Sequence, residues 1–138
     1  AFLARFRTIV TGEACGGEHP FADVDPASYA NEPIACLASL GITGGTSPTT
    51  FSPDAVVTRE QMSALVARLY RELTGESCLV DTSFVDVAEH SYARGDIGCL
   101  VELGITTGTS ATTFSPTSPV TREQMVTLMA RLYSVLAA

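Results

Sequence analysis

The chain has 138 residues, 46% hydrophobic and 17% charged, a globular composition sufficient for one compact domain or a short repeat array. Its net charge is −7 and all eight basic residues are arginine, so phosphate backbones and anionic lipid are repelled and nucleic acid and membrane surfaces are poor partners. No apolar run approaches the length that spans a bilayer.

Displaced by 63 positions, the sequence lies on itself without a gap, and 34 of the 61 aligned pairs from Cys15 onward are identical. This is an internal duplication. Ala1 to Cys15 reads like Ala64 to Cys78, so residues 1–14 are expected to be the closing helix of a preceding copy. Residues 15–77 and 78–138 are then the two copies. Each reads as helix, long loop, helix, and the fold class is all-α.

Each copy opens on a cysteine that has a second one 21 positions on: Cys15 with Cys36, Cys78 with Cys99. Four cysteines allow three connectivities. The repeat favours Cys15–Cys36 and Cys78–Cys99, since one local bridge would then close each copy, at roughly 3 kcal/mol apiece. Zinc ligation lacks the usual close-set Cys or His pairs, and four reduced core thiols are the other alternative. Disulfides imply an oxidising, extracellular setting. Asp23 and Asp86 follow in F-x-D-V, where a carboxylate braces a turn; Asp25 has Ala88 as its counterpart, which argues against a shared metal site.

The first helix of each copy is predicted near Tyr29 to Leu40 and Tyr92 to Leu103, with Ile34, Leu37, Leu40 and Ile97, Leu100, Leu103 as its apolar stripe. Tyr29 and Tyr92 stand at its mouth, suited to stacking on a sugar face or to stapling the helix down. Gly41 and Gly104 fit the left-handed position that ends a helix. The loop from Thr43 to Val57 is rich in Gly, Thr, Ser and Pro; its Phe51, like Phe114, is expected to plug it onto the core. Thr58-Arg59-Glu60-Gln61 and Thr121-Arg122-Glu123-Gln124 then form capping boxes. Behind them Met62, Leu65, Val66, Leu69 and Leu73, with their copies Met125, Leu128, Met129, Leu132 and Leu136, make a helical core face.

Arg59 and Arg122 stand out. They occupy a first helical turn, where the helix dipole favours acids. A cation there calls for an anionic neighbour: either an internal one, such as Asp23, Asp86 or the adjoining glutamates, or a bound acid met by the guanidinium fork and the free amides. No nucleophile motif, P-loop, HExxH or dinucleotide fingerprint is present. His19 and His90 fall outside the duplicated set. No catalytic residue, metal site or cofactor is expected.

The order F-x-D-V, aromatic, apolar helix, L-x-x-x-G-I, glycine-rich loop, F-x-P, T-R-E-Q occurs twice, over Phe21 to Leu73 and Phe84 to Leu136. It resembles the S-layer homology (SLH) repeat of secreted bacterial proteins, and arginine without lysine fits a high-GC genome. The resemblance implies tandem helix-loop-helix repeats about a pseudo-threefold axis, completed here by an upstream copy or another chain. It implies a noncatalytic module at the cell wall or cell surface, binding an anionic, often pyruvylated, wall polysaccharide in grooves between repeats. Arg59 and Arg122 would meet the acid; Gly41-Ile42 and Gly104-Ile105 would line the groove, with Tyr29, Tyr92, Asp23 and Asp86 nearby. Self-assembly through protein–protein contacts, and service as an accessory domain of a secreted enzyme, are the alternative functions. The chain carries tyrosine where the family usually has tryptophan, and Gln61 and Gln124 where its motif has glutamate.

Overall fold

The computed structural model describes residues 2–12, 15 and 17–137. Among the described residues five helices follow in chain order: α1 (Phe2–Thr11), α2 (Asn31–Ser39), α3 (Arg59–Thr74), α4 (Arg94–Glu102) and α5 (Arg122–Ala137). No strand occurs among the described residues, only an isolated antiparallel bridge between Thr58 and Pro119. The chain is all-α.

The predicted capping boxes form. Thr58 Oγ1 accepts from the Gln61 N–H while the Thr58 N–H donates to Gln61 Oε1. Thr121 and Gln124 reciprocate in the same way. Each box satisfies two of the amides that a helix start leaves without partners. Gly41 and Gly104 take φ of 74° and 75°, the left-handed geometry that ends α2 and α4. Those two helices begin two residues later than their apolar stripes indicate. Ser28 explains the first: its carbonyl accepts from the Asn31 N–H and its hydroxyl from the Ala30 N–H, closing a turn that leaves Tyr29 outside the helix. Ser91 does the same before α4, and Tyr92 stays in the turn.

The chain divides into two compact units, residues 1–55 and 56–138. In the first, α1 packs on α2, Cys15 is bonded to Cys36, and Phe21, Val24 and Ile34 form a core against which Phe51 packs. In the second, α3 packs on α4, Cys78 is bonded to Cys99, and Val87, Ala93, Ile97 and Phe114 form the corresponding core. The packing unit is therefore offset from the sequence register. A helix that closes one copy, α3, rests on the helix that opens the next.

The long loops are held by their own chemistry. Both oxygens of Asp23 accept backbone N–H groups, from Phe51 and Ser52, each at 2.8 Å. Asp86 does the same for Phe114 and Ser115. Ser52 and Ser115 sit at φ of 59° and 58°, an uncommon conformation for a non-glycine residue. Each is held there by the aspartate and by a hydroxyl contact, Thr46 to Ser52 and Thr109 to Ser115, both at 2.7 Å.

Candidate functional site

The second unit contains an open cleft of about 560 Å³ whose lining includes Arg59 and Ser63 of α3, the Thr106–Thr109 loop, Phe114, and Glu123, Thr127 and Arg131 of α5. Its assembly follows from the T-R-E-Q element. The Arg59 and Glu60 N–H groups donate to the carbonyls of Ser118 and Pro116, and the Val120 N–H donates to Val57. These bonds lay the capped start of α3 along the loop that precedes α5. They also bring the Arg59 side chain over the Phe114 ring, 4.5 Å from its centroid. Stacking of this kind contributes ~1 kcal/mol.

The guanidinium is held without a carboxylate. Its Nε donates to the Phe114 carbonyl at 2.7 Å and its Nη2 to the Thr107 carbonyl at 3.2 Å. A guanidinium carries five N–H donors, so three remain without a partner among the described residues. Burial lowers the Arg59 pKa, and the charge of Asp86 opposes that shift. The internal anion expected from the sequence is thus a long-range influence, with Asp86 itself committed to the loop amides. Burial pushes the Asp86 carboxyl up, but the Phe114 and Ser115 N–H groups outweigh it and hold it below its ordinary value. Asp23, with Phe51 and Ser52 as donors, is likewise held low.

The other residues singled out in the sequence fall in different places. Arg122 is exposed, outside the lining of this cleft, and without a partner among the described residues. Ile42 and Ile105 are 1% and 0% exposed. Their side chains belong to the core, so only their backbones can face a ligand. Gly104 borders a second, more open groove along α5 with Val126, Ala130 and Ser134, which shares Thr127 and Arg131 with the Arg59 cleft. Gly41 has open space where a side chain would start. Tyr29 and Tyr92 are 81% and 59% exposed, available for stacking, but Tyr92 does not line the Arg59 cleft. One lining residue lacks a motif of its own: Arg131, whose Nη1 donates to the Ile105 carbonyl. The signal for it in the sequence is its recurrence as Arg68, inside a helix otherwise read as core.

The pattern of the S-layer homology domain matches residues 20–63 and 83–126, together well over half the chain. The chain belongs to the S-layer homology family. Domains of this family anchor proteins at the cell wall, and the chain is a secreted, cell-surface-associated module of that kind. It is 36% identical over 126 residues to an endoglucanase of Bacillus sp. (strain KSM-635), covering 91% of the chain and 13% of that protein. It is 32% identical over 136 residues to a cell surface protein of Thermoanaerobacter kivui, covering 95% of the chain and 18% of that protein. An S-layer protein of Bacillus thuringiensis subsp. finitimus is 29% identical over 98 residues, 71% of the chain and 12% of that protein. The chain spans less than a fifth of the length of each of these relatives. The endoglucanase match therefore concerns an SLH part and carries no catalytic machinery into this chain.

Proposed function

We propose that this chain is a noncatalytic SLH module that holds its parent protein on the cell wall by taking an acidic group of a wall polysaccharide, such as a pyruvyl ketal, into the Arg59 cleft. One observation supports this above the rest: the Arg59 guanidinium is fixed by an aromatic ring and two backbone carbonyls, with donors to spare, at an open cleft. Protein carboxylates would have neutralised it. Threonine hydroxyls around it supply the neutral donors and acceptors that sugar hydroxyls require. Arg122 holds the repeat-equivalent position at the start of α5, exposed and without a partner among the described residues, and is the second proposed contact. In this reading residues 15–77 and 78–138 are the two SLH repeats, and residues 1–14 resemble the closing helix of such a repeat.

The test is co-sedimentation with purified cell wall before and after removal of its acidic polymer. Binding is expected to depend on the polymer and to fall when Arg59→Lys, which keeps the charge but loses the planar fork and the stack. Equal binding by stripped walls, or by Arg59→Ala with a native circular dichroism spectrum, refutes the reading.

A second reading, self-association with another copy of the chain, has its own support. Tyr70 on α3 is 6% exposed, whereas its counterpart Tyr133 on α5 is 56% exposed. The ring that is buried on α3 is bare on α5 among the described residues. Sedimentation equilibrium over a wide concentration range separates the readings, since a strict monomer removes this one.

A further inference from the structure

We infer that Arg131 is a second anion contact in the Arg59 cleft, so that the ligand is gripped at two points by guanidinium groups contributed by different helices. This assignment rests on the anchoring reading above and specifies how its site works. Arg59 comes from the start of α3 and Arg131 from the third turn of α5, yet both line the same cleft. Both are tethered to one short segment: Arg131 to the Ile105 carbonyl at 3.2 Å, Arg59 to the Thr107 carbonyl at 3.2 Å. Two residues of chain span at most ~7 Å. The two tethering points therefore fall within the reach of a single sugar residue and its acidic substituent.

The charge balance of the cleft points the same way. Arg131 is exposed, and its one protein partner among the described residues is that carbonyl. Four of its five donors remain for a ligand. Among the described residues the lining holds two arginines against one acid, Glu123, a net positive lining on a chain of net charge −7, with Asp86 acting on Arg59 from outside it. Such a site attracts one acidic group locally while the remaining surface repels loose polyanion binding. A purely bracing arginine would need one donor for Ile105 and no opening onto the cleft.

Calorimetric titration of the 138-residue chain with purified acidic wall polysaccharide, repeated over a range of salt concentrations, tests the assignment. Arg131→Ala is expected to weaken binding about tenfold and to flatten the dependence of affinity on salt, because one fewer counterion is exchanged. Arg131→Gln keeps an amide donor for the Ile105 carbonyl and removes the charge, so it should behave like the alanine variant. Arg131→Lys should recover most of the salt dependence. If Arg131→Gln binds like the parent, or if affinity falls with an unchanged salt slope, Arg131 is only a brace and the assignment is wrong. A parent chain that fails to bind sinks the anchoring reading as well. A parent that binds through Arg59 with indifference to Arg131→Ala sinks this inference alone.

Discussion

Asp86 links loop geometry to the site at the scale of one residue. Its two oxygens fix the Phe114 and Ser115 amides, Phe114 offers its ring and carbonyl to Arg59, and Arg59 faces the cleft. The carboxyl is held below its ordinary 3.8, as is that of Asp23. A depressed native pKa means that the unfolded chain binds protons first on acidification. The stability these groups contribute is complete above about pH 3.8 and is lost as pH falls from there through their native values. Urea midpoints should therefore drop steeply below about pH 4. In Asp23→Asn plus Asp86→Asn that acid limb should be shallower, from a lower plateau. A double variant with the parent's acid limb would show that the two loops do not depend on these carboxylates.

At the scale of the element, α3 is fixed at both ends by interactions of different kinds. At its start Thr58 caps it and pairs with Pro119. Thr58→Ala should cost about 1 kcal/mol of stability in chemical denaturation. Toward its end Arg71 Nη1 lies 2.9 Å from Asp96 Oδ1 on α4 and also donates to the Cys78 carbonyl. Asp96 is buried, so Arg71→Ala leaves an unpaired charge inside and should cost about 3 kcal/mol, whereas Arg71→Ala with Asp96→Leu should regain much of it. A single variant no less stable than the parent would mean that Asp96 finds water. Sixty-three positions earlier stand Thr8 and Pro33, so this pair belongs to the α3–α4 joint and not to the repeat as such.

These elements also mark what the sequence could disclose. The capping boxes were legible because their partners are three residues apart and of one possible chemistry. The late starts of α2 and α4 were not, since a serine turn competes with the apolar stripe without altering it. The setting of Arg59 was legible in kind, as a cation needing company, but its company is made of carbonyls 55 and 48 residues away. Every residue has a carbonyl, so composition cannot mark which ones a guanidinium will choose. Ile42 and Ile105 show the converse: the repeated Gly-Ile pair read as groove lining, and burial leaves only its backbone for that task.

At the scale of the molecule, duplication supplies an internal control for what an SLH helix needs. Nearly the same sequence makes α3 and α5, and both bury a leucine fully, Leu69 and Leu132 at 0% exposure. They differ at one ring, Tyr70 being 6% exposed and Tyr133 56%. Deleting the ring should accordingly have unequal costs. Tyr70→Ala should lose about 3 kcal/mol, as for other buried aromatics, and Tyr133→Ala no more than about 0.5 kcal/mol in dilute solution. If self-association operates, the second figure will depend on protein concentration, because a copy seated on α5 would bury the Tyr133 ring. Thermal unfolding of both variants at low and high concentration reads this directly. A Tyr133→Ala penalty that stays small at every concentration leaves α5 as a solvent-facing helix and wall anchoring as the work of a single chain.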